Sequence, residues 1–179
     1  MIVDGTAVAA GPPTRDENSE NFPVASRLIP AAQRPKVLAF YRFVRTADDI
    51  ADHATLNSTE KLARLEAMEL LLDDPAGPLA EVGTDEARLM LSAFRQDAVR
   101  PRYPDWAALE DYCARSADPV GRMLLRLHGE DDALARHASD GLCTALQILN
   151  HLQDLVPDRQ AMDRIYLPVP WMALAGGEE

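Results

Sequence analysis

Basic residues, cysteine, histidine and long apolar runs are all scarce in this chain, and each scarcity removes a class of function. Of 179 residues only 18 are Lys or Arg, against 29 Asp or Glu, so the formal net charge is −11. A nucleic-acid partner would need a basic face, and this balance argues against one. It leaves a small anionic ligand open, because metal ions and a few local arginines can reverse the field of an acidic site. Cys113 and Cys143 form no close-spaced motif. They read as reduced thiols of a cytoplasmic protein, with a single disulfide as the lesser alternative. His53, His128, His137 and His151 share no ligand spacing and read as surface or cap residues. No apolar run approaches the roughly 18 residues of a transmembrane helix. Met1 to Asn18 lacks the basic start and hydrophobic block of a secretory signal. Period-two alternation is convincing nowhere, and there are no repeats or low-complexity segments.

What is present is helical pattern. With 47% hydrophobic residues the chain can bury a core. Residues 1–19 read as a disordered leader, and 20–179 as one helical domain of about seven helices, an all-α chain. Glu20 to Leu28 reads as a short helical turn, and Pro35 to Ala54 as the first long helix. Asn57 and Glu60 resemble a capping box ahead of Leu62, Leu65, Met68 and Leu72. Thr84 or Asp85 opens a helix reaching Arg100. Pro104 and Asp105 open another, with Trp106, Leu109, Tyr112 and Cys113 on one face. Asp118-Pro119 reads as an N-cap followed by proline in the first turn. That helix stops at Gly129. Asp131 or Asp132 starts a further helix as far as Asp140, and Ser139 to Val156 reads as the next.

Two acidic stretches carry the chemistry. In the first long helix Val37, Phe40, Tyr41 and Val44 recur at spacings of three and four. The same stripe continues into Asp48, Ala51 and Asp52, which turns two acids toward the core, while Asp49 lies about 100° around the helix. Asp48 and Asp52 are one turn apart, their Cβ atoms about 5–6 Å from each other. Such a pair needs positive charge nearby. Arg45, one turn back, can supply part of it and a divalent cation the rest. In the later helix Leu142, Cys143 and Leu146 begin an apolar stripe that Gln147, Asn150, Asp154 and Asp158 continue. Two helices with Asp-x-x-x-Asp on an inward face suggest one cavity. The ligands are carboxylates without paired Cys or His, which suits Mg²⁺ bridging a diphosphate better than Zn²⁺. Taken alone, Asp48 and Asp52 read equally well as a solvated face or an ion pair with Arg45. Gln147 and Asn150 read alternatively as a buried hydrogen-bonded pair, and Tyr112 as a core aromatic. Arg122 and Arg126 read either as phosphate ligands or as partners of Asp118 and Glu130.

Asp48-Asp49-Ile50-Ala51-Asp52 and Asn150-x-x-Gln153-Asp154-x-x-x-Asp158 resemble the two aspartate-rich motifs of the squalene/phytoene synthase family. Glu20-Asn21-Phe22-Pro23-Val24-Ala25-Ser26, Tyr41-x-Phe43-x-Arg45, Tyr112-Cys113-x-x-Ser116-Ala117-x-Pro119-Val120-Gly121-Arg122 and Arg164-Ile165-Tyr166-Leu167-Pro168 look most like its hydroxysqualene synthase subgroup. The resemblance spans Glu20 to Pro168. It implies an all-α isoprenoid synthase fold, here a partial helical bundle with a central cavity. Family members are longer, so the chain reads as the N-terminal portion. The family's glycine near Met162-Asp163 is missing, and Pro157 falls inside the second motif, where proline should kink or end the helix and move Asp158 off the face of Asp154.

The resemblance further implies conversion of presqualene diphosphate to hydroxysqualene by Mg²⁺-assisted ionisation and capture of water. Head-to-head condensation of two farnesyl diphosphates is the alternative within the family, and a non-catalytic helical protein the alternative outside it. By resemblance, Asp48, Asp52, Asn150, Asp154 and Asp158 hold Mg²⁺, and Arg45 binds phosphate. Ser26, Tyr41, Gln147 and Asn150 line the substrate end, and Tyr112 stands beside the reacting carbons. Phe22, Val44 and Leu146 wall an apolar tunnel for the prenyl tails. Contact with a membrane surface and association of copies through an apolar face are both compatible with this reading.

Overall fold

Eight α-helices and two short strands make up the described residues, 29–80 and 83–176 of the computed structural model. The helical turn expected over Glu20 to Leu28, with Phe22 and Ser26, lies outside them. The chain divides into two units, Met1–Arg95 and Gln96–Glu179.

The first unit holds α1 (Arg34–Ala51), α2 (Ser58–Leu70) and most of α3 (Thr84–Asp97). Proline in its first turn starts α1, where its missing N–H costs nothing. The helix ends at Ala51 with Asp52 as its C-cap, three residues short of Ala54. Its buried face runs through Val37, Phe40, Ala47, Ile50 and Ala51. This corrects the expected stripe. From Val44, spacings of three and four lead equally to Ala47 or Asp48, and burial selects the small apolar residue. Asp48 and Asp52 therefore sit on the flank, half-buried. The capping box forms as expected: Glu60 N–H donates to Asn57 Oδ1 at 3.0 Å, and Asn57 N–H to Glu60 Oε2 at 2.9 Å. Lys61 Nζ then donates to the Ala51 carbonyl at 2.7 Å, putting a cation on the C-terminal end of α1. Leu65 and Met68 are buried, and Leu72 follows them in a 3-10 turn, Leu71–Asp73.

The second unit begins with Gln96 and Asp97, the last residues of α3, three residues before the expected end at Arg100. Then come β1 (Arg102–Tyr103), α4 (Trp106–Ser116), α5 (Asp118–His128), α6 (Ala133–Gln153), α7 (Leu155–Met162), β2 (Ile165–Pro168) and α8 (Val169–Leu174). The strands pair in parallel, Arg102 with Ile165 and Tyr103 with Pro168. At two and four residues they are too short to show alternation. Asp105 caps α4 through Ala108 N–H at 2.8 Å. Ala117, not Asp118, caps α5. The Asp118 carboxylate turns inside instead and accepts from Thr144 Oγ1 at 3.0 Å. Gly129 closes α5 at φ 74°, the left-handed cap that favours glycine.

Asp132 caps α6 by accepting from Leu134 N–H and Ala135 N–H, both at 2.8 Å. From there α6 runs unbroken for 21 residues, where two helices were expected. Gly141 lies inside it on an exposed side, and a helical glycine costs only about 1 kcal/mol. The expected apolar stripe is split: Cys143 is half-buried against α5 while Leu142, 61% exposed, and Leu146 face outward, and Leu149 and Leu152 are exposed beside them. Cys113 and Cys143 are both free thiols. Asp163, at the place of the missing glycine, adopts φ 51° and ψ 37°, the one positive-φ residue other than glycine among those described. Aspartate tolerates that region better than most side chains. Arg102 steadies it, donating from Nη2 to Asp163 Oδ1 at 2.6 Å.

Candidate functional site

In the first unit Arg45 gathers the acids. Its Nη1 donates to Asp48 Oδ2 at 2.7 Å and its Nη2 to Asp49 Oδ1 at 2.8 Å, spacings of three and four along α1. Asp49, expected to point away, is the more buried of the two, with side chains 14% and 32% exposed. The guanidinium thus pairs two carboxylates at once, one through each terminal nitrogen, by charge-assisted hydrogen bonds. Asp52 stands one turn beyond Asp48, at the helix end, and Tyr41 one turn before Arg45; both are half-buried. Ser26 lies outside the described residues.

In the second unit the motif spans a helix junction. α6 ends at Gln153, and Asp154 serves both as its C-cap and as the residue from which α7 starts. Pro157 explains the break. Its ring excludes a helical carbonyl four residues back, at Gln153, and it occupies the first turn of α7, where no donor is needed. The chain thus breaks upstream of the proline. Asp158 N–H donates to the Asp154 carbonyl at 2.8 Å, so the two aspartates stay one turn apart. Asn150 and Asp154 are exposed, and Gln147 and Asp158 are half-buried. An exposed Asn150 rules out the buried Gln147–Asn150 pair.

Tyr112 lies deeper. It is buried, and its hydroxyl donates to Asp97 Oδ2 at 2.7 Å. The Tyr166 hydroxyl is 3.4 Å away and accepts from Arg164 Nη1 at 3.1 Å, while Arg164 Nη2 donates to the Asp97 carbonyl at 3.1 Å. Burial, then the Asp97 charge, holds the Tyr112 phenol well above its ordinary pKa, so it is protonated. Tyr103, Tyr166 and His151 pack around the ring. Sequence reasoning missed Asp97, Arg164 and His151 as members of this cluster. His151 is buried rather than superficial, and burial pushes its pKa down to about 3, so the imidazole is neutral. Its single signal was its place between Asn150 and Asp154. Arg122 binds Asp140, with Nε to Oδ1 at 2.9 Å and Nη2 to Oδ2 at 2.7 Å, and so is an ion-pair residue.

Among the described residues no three His, Cys, Asp or Glu side chains gather closely enough to hold an ion by themselves. The donors still suit Mg²⁺. They are hard oxygens of carboxylates and one amide, and Mg²⁺ takes one or two protein carboxylates and completes its shell with water and substrate phosphate. A cavity of about 380 Å³ in the second unit is lined by Leu155, Val156, Arg159, Gln160, Ile165 and Met172, none of them a candidate residue. No helix among the described residues is long and apolar enough to cross a membrane.

The sequence and the fold both have matches among known proteins. Residues 15–179 match the family model for squalene/phytoene synthase. The chain is 44% identical over 176 residues to a hydroxysqualene synthase of Rhodopseudomonas palustris, covering 92% of this chain and 60% of that one. It is 31% identical over 173 residues to a presqualene diphosphate synthase of Zymomonas mobilis, covering 88% of this chain and 59% of that one. The crystal structure of squalene synthase HpnC from Alicyclobacillus acidocaldarius superimposes with a TM-score of 0.76 at 32% identity, over 90% of this chain and 66% of that one. The chain thus spans about 60% of the length of the curated relatives it matches. By motif, fold and sequence it belongs to the squalene/phytoene synthase family.

Proposed function

We propose that this chain takes part in converting presqualene diphosphate to hydroxysqualene. The observation that carries the reading is a difference in similarity. Identity is 44% to a hydroxysqualene synthase but 31% to a presqualene diphosphate synthase, a gap of 13 points over alignments of 176 and 173 residues. In the reaction the carbon–oxygen bond to diphosphate breaks and the electron pair leaves with the diphosphate. Water then adds to the rearranged carbocation and loses a proton.

Mg²⁺ would supply the positive charge that stabilises the departing diphosphate; Asp48 and Asp52 in the first unit, and Asn150, Asp154 and Asp158 in the second, are the residues that would hold it. Arg45 holds Asp48 and Asp49 in place and adds a fixed positive charge beside them. Asn150 and Asp154 are exposed at the end of α6, where an anionic ligand and its cations can reach them. Tyr112, its hydroxyl bonded to Asp97 inside the protein, is assigned its place beside the reacting carbons by the family resemblance, where an aromatic face would stabilise a carbocation. Tyr41 in the first unit and Gln147 in the second, and by the family resemblance Ser26, would contribute to binding the substrate.

The test is product analysis. Purified chain is incubated with Mg²⁺ and presqualene diphosphate, and separately with farnesyl diphosphate. Hydroxysqualene from the first, lost in Asp48→Asn and in Asp154→Asn with helix content intact, is the expected result. A condensation product from the second alone would transfer the chain to the sister reaction. Full activity in both variants would sink the metal assignment.

A further inference from the structure

α6 has 21 residues, all of them described, and His151 alone among them is buried. Its N-terminal half is held against α5. A Cβ on Gly121 would lie 2.2 Å from Ser139 Oγ and 2.8 Å from Cys143 Sγ, so the helices touch there. Arg122 pairs with Asp140, and Thr144 with Asp118. Beyond Thr144 the leucines face outward, and only His151 goes fully inside. Its ring lies parallel to that of Tyr166, with centroids 3.7 Å apart and planes 10° apart. Tyr166 is stacked on Tyr103 at 5.5 Å, and Arg164 fixes its hydroxyl. The one fully buried side chain of the helix end is thus an imidazole laid on a braced tyrosine.

From this we propose that His151 is a positioning residue, whose stacking on Tyr166 sets the rotation of the α6 end and so aims Gln147, Asn150 and Asp154 to one open flank. The helix period supports it. With His151 as origin, Gln147, Asn150 and Asp154 fall about 40°, 100° and 60° to the same side. Turning the helix by one residue, about 100°, would carry at least one of them toward the tyrosines. The Nε2 atom is buried without a hydrogen-bond partner, so the ring face is what engages the protein.

The inference rests on the diphosphate reading of Asn150 and Asp154, and its test separates the two. Mn²⁺ uptake in the presence of inorganic diphosphate is titrated by electron paramagnetic resonance. Amide hydrogen exchange is followed over α6 in parallel. His151→Ala should weaken Mn²⁺ uptake by roughly tenfold and release protection over residues 147–155 while sparing 133–144. His151→Phe, which keeps a flat ring, should restore both. Unchanged uptake in His151→Ala, or a His151→Phe variant as weak as the alanine, would overturn the proposal. Loss of uptake in Asp154→Asn but not in His151→Ala sinks the positioning role alone. A wild-type chain that takes up no Mn²⁺ with diphosphate sinks the ligand reading and the aim together.

Discussion

Tyr112 and Asp97 share a 2.7 Å hydrogen bond inside the protein, phenol to carboxylate. A buried carboxylate is tolerated only where donors meet it. Here Tyr112 serves the Asp97 side chain and Arg164 its carbonyl, which ties the end of α3 to α4 and to the residue before β2. Tyr112→Phe therefore removes one donor from a buried acid. We expect a loss of about 1–3 kcal/mol, read as a lower midpoint in urea with an unchanged slope. An unaltered midpoint would mean that the bond contributes nothing net.

His151 makes stability depend on pH. Its folded pKa of about 3 lies below the value near 6.5 of an unfolded histidine. Between these values the unfolded chain binds a proton that the folded chain refuses, so stability falls as pH drops from about 6.5 toward 3. The slope from this group approaches 1.4 kcal/mol per pH unit in that window. His151→Phe should flatten the curve of unfolding free energy against pH there. A curve of the same slope in both proteins would assign the acid sensitivity to other groups.

Gly121 marks the close approach of α5 and α6. Gly121→Ala puts a methyl group 2.2 Å from Ser139 Oγ. Both Ser139 and Cys143 must turn aside, at a cost of about 1–3 kcal/mol. Ser139→Ala in the same chain should recover part of it. Thermal denaturation of the single and double variants measures this directly.

The thiols should be quiet in the folded state. Burial pushes the Cys113 pKa up to about 12 and raises that of Cys143 as well, so both are thiols rather than thiolates at neutral pH. Iodoacetamide at pH 8 should label Cys113 only after denaturant is added, with mass spectrometry counting the adducts. Rapid labelling of Cys113 in the native chain would contradict its burial.

The helices were legible where their ends carry chemical signals. Asn57 with Glu60, Asp105, Asp132 and Gly129 each stop or start a helix for a reason written in the side chain. The faces were less legible. On α1 two phases fit the same apolar residues, and only burial shows that Ala47 rather than Asp48 continues the core. On α6 the leucines that looked internal are external, and a histidine that looked superficial is the sole buried residue. The Asp97–Tyr112–Arg164 cluster joins residues 15 and 67 positions apart. No local pattern can announce a bond across such distances. Asp163 shows the converse: a missing glycine marked the place where the backbone turns left-handed anyway.

Leu142, Leu146, Leu149 and Leu152 form an outward apolar row, and any meeting of copies through it would respond to solution conditions in a predictable way. Contacts between such rows are driven by release of ordered water, so they strengthen on warming from refrigerator to room temperature. The net charge of −11 opposes them, and salt screens that opposition. Warmth and ionic strength therefore push the same way. The chain should scatter least light when cold and dilute in salt, and most when warm and saline, the reverse of a protein whose copies meet through ion pairs.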